Sequence, residues 1–267
     1  MDPITTTSLI GATVYLTKDA VEKLLGPTTE YLGEGLKGLV ERRIQNTSKI
    51  FSVAFKRLGD RINDPGQIPS KVLKIVINDA SYCDDNLVLE YIGGALASSR
   101  SENGRDDRGA RMMKMIDNMS TYQIRSHYLI YATVSQLFQN LGRRFGTSED
   151  RAKLQIFLPL QEFIEAMSLS SKESRNGQIM SHIFDGLSSD GLIEGRWRFG
   201  ARDSLKKLFS DAPSDGIVCE PSLQGAELFM WAFGHGSLPL ESMLTEQIDT
   251  KIDGLPYTIS GASATKN

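Results

Sequence analysis

Apolar residues recur along most of this chain at intervals of three and four, the period of a helix with one buried face. The longest such stripe is Leu36, Leu39, Val40, Ile44, Ile50, Phe51, Ala54, Phe55, Leu58 and Ile62. It predicts a helix from Leu36 to Arg61, about 39 Å long at 1.5 Å per residue. A shorter helix over Thr17 to Leu25 precedes it, closed by Gly26-Pro27. A stripe of that length needs partners, so the N-terminal part reads as a helical bundle. Asp64-Pro65-Gly66 then breaks the chain, and Pro69 suits the first turn of a helix through Ile77. Asp84-Asp85 favour the positive end of the next helix, which runs to about Ser99. Gly93, Gly94, Ala95, Ala97 and Ser98 give that helix a small-residue surface. Glycine costs about 1 kcal/mol in a helix interior, so the surface points to close helix–helix packing. Ser101 to Gly109 is polar and charged, a candidate mobile segment or domain boundary.

The second half changes order. Ser120-Thr121-Tyr122-Gln123 reads as a capping box opening a helix to Gly142, with Ile124, Tyr128, Tyr131, Val134, Leu137, Phe138 and Leu141 inward. Leu154 to Leu158 suits a strand, Pro159 opens a helix to about Met167, and another helix spans Asn176 to Ser188. Gly191 to Phe199 and Gly216 to Glu220 read as a pair of strands around an amphipathic insert, Asp203 to Phe209. A helix from Leu223 to Phe233 ends at Gly234. Helix, strand, helix, helix, strand, strand is the order of a winged helix. The expected fold is therefore mainly α, with an N-terminal helical bundle over residues 1–110 and a winged-helix-like unit with a small β-wing over 111–235. A C-terminal tail over 236–267 is expected to be partly disordered, above all from Ser260 to Asn267.

Composition changes this picture little. Among 267 residues, 40% are hydrophobic and 24% charged, as in an ordinary globular protein, and the formal net charge is −3. No overall field draws such a chain to nucleic acid or anionic lipid, so either partner needs a local patch. Two cysteines, Cys83 and Cys219, are too few for a disulfide framework and lack metal-ligand spacing. The start, Met1-Asp2-Pro3, lacks the positive region of a signal peptide, and no apolar run approaches the roughly 18 residues of a spanning helix. The cytoplasm is the default location.

Catalytic motifs are not found. There is no G-x-S-x-G elbow and no phosphate-binding G-x-x-x-x-G-K-[ST] loop. The acidic pairs Asp84-Asp85 and Asp106-Asp107 read as a helix start and a solvated loop, and His127, His182 and His235 as ordinary structural or surface histidines. No cofactor, metal or small-molecule substrate is indicated, and the chain is not expected to be an enzyme.

Two basic regions stand out. The long N-terminal helix carries Arg42, Arg43, Lys49, Lys56, Arg57 and Arg61, candidates for contact with an acidic partner, RNA or an anionic membrane. In the winged-helix reading, Arg175, Asn176 and Gln178 open the recognition helix, and Arg196, Arg198, Lys206 and Lys207 line the wing. From Ser170 to Gly195, two cations face four carboxylates, which weighs against phosphate binding by that helix. A protein partner or self-association is the leading expectation, nucleic acid the alternative, and the membrane the less favoured third.

Three ordered groups of segments carry a family likeness. The first is Gly35-Leu36-Lys37-Gly38-Leu39-Val40-Glu41-Arg42-Arg43, continuing through Asn46. The second is Ile68-Pro69-Ser70-Lys71-Val72-Leu73, then Asn78-Asp79-Ala80-Ser81, Asp84-Asp85, Leu89-Glu90-Tyr91-Ile92 and Ala95-Leu96-Ala97-Ser98. The third is Leu187 through Glu194, followed by Pro221-Ser222-Leu223-Gln224-Gly225. Together they resemble the Abi-alpha family, a bacterial group associated with abortive infection of phage-attacked cells. The resemblance spans about Gly33 to Gly234. It departs at Ile92-Gly93, where the family commonly has a tryptophan-alanine pair. It implies a role in phage defence and brings no catalytic residues.

Overall fold

The computed structural model describes residues 4–5, 15–16, 41–78, 85–169, 176–246 and 248–265, with the side chains of 4–5, 15–16 and 41–44 outside that set. The helix expected over Thr17 to Leu25 and the start of the long helix at Leu36 to Val40 lie outside the described residues. Among the described residues the protein is mainly helical, with eleven α-helices and a small four-stranded antiparallel sheet. By its internal contacts the chain divides into two compact units. One is Met1–Met119 with Trp231–Ser237, and the other is Ser120–Met230 with Leu238–Asn267.

In the first unit, two short strands, β1 (Ile4–Thr5) and β2 (Tyr15–Leu16), pair antiparallel. Helix α1 (Glu41–Leu58) follows and tightens into a 3₁₀ turn over Gly59–Asn63. Its stripe goes inward as the spacing requires: Ile50, Phe51, Ala54, Leu58 and Ile62 are buried, and Phe55 is half-buried. Helix α2 (Ser70–Asn78) starts directly after Pro69 and buries Val72, Leu73, Ile75, Val76 and Ile77. Helix α3 (Asn86–Ser98) is capped by Asp85, whose carboxylate accepts from the N–H groups of Leu87 at 2.9 Å and Val88 at 3.2 Å. That satisfies two donors the helix cannot satisfy itself.

The small-residue surface of α3 is a close-packing surface. A Cβ at Gly93 would press on Val53 and the Ile50 carbonyl of α1, and one at Gly94 would overlap the Ala232 carbonyl. Ser98 completes the fit: its hydroxyl donates to the Trp231 carbonyl at 2.9 Å and accepts from the Gly236 N–H at 3.1 Å. Helix α4 (Arg108–Asn118), for which no helix was expected, straddles the boundary expected at residue 110 and counts with this unit. Its buried Ala110, Met112, Met113 and Ile116 are why, since it packs against both α2 and α3.

The second unit is built around α5 (Thr121–Phe138), which buries residues on every side. Ser120 and Gln123 form the expected capping box. Leu141 was expected inward but is exposed, because α5 ends at Phe138 and Asn140 turns the chain at φ +59°. A short helix α6 (Ser148–Ala152) leads to β3 (Ile156–Pro159), then α7 (Leu160–Ala166) and α8 (Asn176–Ser189). Next come β4 (Arg198–Gly200), α9 (Arg202–Leu205), β5 (Gly216–Cys219), α10 (Leu223–Ala232), α11 (Ser242–Thr245) and β6 (Ser263–Ala264). Trp231 and Ala232, at the end of α10, count with the first unit.

The sheet order is β4-β5-β3-β6, antiparallel throughout. Phe157, Leu205, Phe209, Ala212 and Val218 form a core cluster beside it. Two expectations are corrected. The strand foreseen from Gly191 is confined to Arg198–Gly200, because upstream only Ile193 bridges, and its partner Pro221 has no N–H to extend a ladder. The tail foreseen as disordered from Ser260 supplies β6. Its Ser263 and Ala264 pair with Phe157 and Ile156, giving buried β3 a second hydrogen-bonding neighbour.

Candidate functional site

Among the described side chains, the basic residues from Lys49 to Arg61 do not form one surface. Arg57 is nearly buried: its guanidinium donates to Glu90 at 2.9 Å and lies 4.8 Å over the Phe233 ring. Arg61 donates to the carbonyls of Gly234 at 2.9 Å and Arg57 at 3.0 Å. Both hold the first unit together. Lys49 is half-buried and Lys56 exposed, whereas the side chains of Arg42 and Arg43 lie outside the described residues.

The wing residues fare differently. Arg196, Arg198, Lys206 and Lys207 are all exposed, and Gln178 is exposed on α8 while Asn176 is half-buried. Arg175 lies outside the described residues. Lys206 stands 3.6 Å from Asp203, and Arg196 is 4.0 Å from Glu220. Half-buried Trp197 stacks between Phe184, at 5.5 Å, and Phe199, at 6.3 Å. That stack fixes β4 against α8 and leaves the neighbouring cations pointing to solvent.

Three titratable side chains of the second unit, His127, Tyr131 and Cys219, are buried. His127 is fully buried on α5 with its Nε2 3.0 Å from the Gly225 carbonyl, and burial pulls its pKa down to about 3. At neutral pH the ring is uncharged and its Nε2–H donates. Tyr131, one turn on, donates to the Leu192 carbonyl at 2.7 Å and accepts from the Ser222 N–H at 2.9 Å. Burial pushes its phenol well above the usual range. Cys219 is buried and its thiol is pushed up to about 12, which suppresses thiolate chemistry. Among the described residues no group of three or more His, Cys, Asp or Glu is arranged to hold a metal ion.

Sequence reasoning missed a cationic recess in the first unit. Helices α2 and α4 flank an open recess of about 610 Å³ lined by Lys71, Lys74, Ile75, Asn78, Asp107, Arg108, Ala110, Arg111 and Lys114. Among the described residues, five cations and one carboxylate line it. All five cations are exposed residues, and Ile75 and Ala110 form a small apolar floor. The apolar faces of α2 and α4 anchor the two walls. Lys71 Nζ reaches Asp107 Oδ2 at 2.9 Å and ties the starts of the helices together. Arg108 is held by Asp106 in a fork, Nε to Oδ1 at 2.9 Å and Nη2 to Oδ2 at 2.7 Å, and lies 5.6 Å over the Trp231 ring. The fork holds the Asp106 carboxyl below its ordinary pKa. Lys114 stands 3.4 Å from Asp117.

No family model, curated protein or solved structure matches this chain. The recess therefore has to be interpreted from its own chemistry. The signal for it was present in the sequence: Lys71 and Lys74 are three apart, as are Arg108, Arg111 and Lys114. At that spacing residues share a helix face.

Proposed function

We propose that this chain acts in phage defence of the abortive-infection type, through contact with another macromolecule and without chemistry on a substrate. The ordered segments that resemble the Abi-alpha family support the defence role. The observation that carries the mode of action is the cationic recess between α2 and α4, which offers charge and N–H donors on two anchored helices. Charged groups on a rigid support are suited to recognising a partner. Among the described residues no helix is long and apolar enough to cross a membrane.

A second reading is a winged-helix nucleic-acid regulator. It is favoured by one observation, the exposed Arg196, Arg198, Lys206 and Lys207 around β4 and α9. In that reading α8 is the recognition helix and β4 with β5 the wing.

A phage challenge of cells expressing the protein, at low and high multiplicity of infection, tests the leading reading. The expected outcome is survival of the culture at low multiplicity and its collapse at high multiplicity. Lys74→Glu with Arg111→Glu is expected to remove protection without loss of soluble protein, and Arg42→Glu with Arg43→Glu asks the same of the first turn of α1. Unprotected wild-type cultures across a broad phage panel would sink the defence role. Full protection by the recess variant would take the recess out of the mechanism.

A further inference from the structure

We infer that the outer edge of β3 is a docking site for the C-terminal strand of a second copy of this chain. Residues 248–265 act as a strap that covers this edge within one copy and is exchanged for the same segment of another. The inference goes beyond the proposed function and does not rest on the recess.

The edge itself is the first observation. Strand β3 is buried along its whole length, and β5 pairs with all of Ile156–Pro159 on one side. On the other side only Ser263 and Ala264 of β6 pair, with Phe157 and Ile156. Both β6 residues are half-buried, so the cover is thinner than the strand it covers. A β3 edge without it presents N–H and C=O groups in strand geometry, a template for another strand.

The second observation is how the strap is attached. Between α11 and β6 the chain runs from Glu246 to Ala262, with no helix or strand among its described residues. Its turns close on themselves. The Leu255 N–H donates to the Ile252 carbonyl at 3.2 Å, and the Ala262 N–H to the Ile259 carbonyl at 3.2 Å. The Thr250 hydroxyl donates to the Tyr257 hydroxyl at 3.2 Å, and Lys251 lies 5.7 Å from the Tyr257 ring. Fully extended, such a run spans about 55–60 Å at 3.3–3.6 Å per residue. A fraction of that reach places β6 on a neighbouring copy.

The third is a latch at the end of the strap. The main-chain carbonyl of Gln155, just before β3, accepts from the Thr265 N–H at 3.3 Å, and its side-chain oxygen accepts from the Thr265 hydroxyl at 3.2 Å. The nitrogen of the same amide donates to buried Glu220 at 2.9 Å, which fixes the way the amide faces. Gln155 and Glu220 belong to the ends of β3 and β5, not to the strap. They accept a Thr265 presented in this register from either chain.

The fourth names the occupant. Besides β6, the strap buries Thr250, Ile252 and Ile259, and β6 itself packs on α5. An unrelated strand pairs with the β3 edge but leaves the places of the two isoleucines unfilled. The same segment of a second copy fills all of them and renews each hydrogen bond, which is the condition for reciprocal exchange. Within one chain the strap is held at high effective concentration, so exchange gains ground only as the protein is concentrated.

Two measurements on the full chain test this. The first is light scattering during size exclusion, after incubation at low and at high concentration. A monomer is expected at low concentration and a slowly reverting dimer at high concentration. Ser263→Pro with Thr265→Pro strips two backbone N–H groups from the strap and should abolish the dimer. The second reads the anisotropy of a fluorescein-labelled peptide of residues 248–267. The proline chain should bind this peptide about tenfold more tightly than the wild type, because its own strap no longer competes for the edge. A peptide carrying the same two prolines should not bind.

If the proline chain fails to fold by circular dichroism, Thr265→Val replaces it. That variant loses only the hydroxyl and should shift both readouts in the same directions. A wild type that stays monomeric at every concentration would overturn the proposal. So would a dimer that the variant forms equally well, or native and proline peptides that bind the variant alike.

Discussion

His127 has no solvent contact, and its folded pKa of about 3 lies far below its ordinary value of 6.5. The unfolded chain binds a proton near pH 6.5 that the folded chain refuses until about pH 3. Stability from the buried neutral ring is therefore complete above pH 6.5 and is lost as the pH falls through that window, at about 1.4 kcal/mol per pH unit. Thermal melts of the wild type should drop steeply between pH 6.5 and 4. His127→Gln, whose amide can still donate to the Gly225 carbonyl, should melt lower at pH 7 but show a shallower acid dependence. An unchanged slope in that variant would show that another group governs the acid transition. Glu220 pulls the opposite way: burial raises its carboxyl pKa, so its contribution is present at low pH and lost as the pH rises through the raised value.

Glycines separate the tight contacts from the open ones at the scale of elements. At Gly94 an added methyl meets the Ala232 carbonyl, and neither backbone can yield without moving its helix. Gly94→Ala should cost about 1–3 kcal/mol, as overpacking does. Gly177, in the first turn of α8, has nothing within 4 Å of the same methyl and no positive φ. Gly177→Ala should therefore stabilise the protein by about 0.4–1 kcal/mol, through a less flexible unfolded chain. Denaturant melts of the two variants check both signs.

Helix starts were the most legible elements because each is a local device. Asp85, Ser120 with Gln123, and Pro69 mark their helices within a few residues. The β-pairings depend on partners far away in sequence, so β6 looked like a loose end and β4 looked longer than it is. The recess is intermediate. Each row of cations is local, but only the packing of α2 against α4 brings the rows together. Arg57 was misread because a cation on a helix looks solvent-facing until its partners, Glu90 and Phe233, are in place.

On the scale of the whole molecule, a boundary drawn at residue 119 does not yield a self-sufficient fragment. The first unit takes Trp231–Ser237 from more than a hundred residues downstream. Phe233 lies edge-on to Tyr91, with ring centroids 5.9 Å apart, and is covered by Arg57, while Trp231 meets Ser98 and Arg108. A chain ending at residue 119 would expose those contacts to water, and it should express as an aggregating or loosely folded product. A well-dispersed amide spectrum from that fragment would overturn this expectation.

The same return sets an order of events during synthesis. At roughly 5–20 residues per second, the segment that completes the first unit leaves the ribosome some 6–24 s after residue 119. Through that interval the faces of α1 and α3 that will receive Phe233 and Trp231 wait without their apolar cover. The first unit is thus finished only after residues 120–230 of the second have been made, and the growing chain has a period in which chaperones or self-association compete for it.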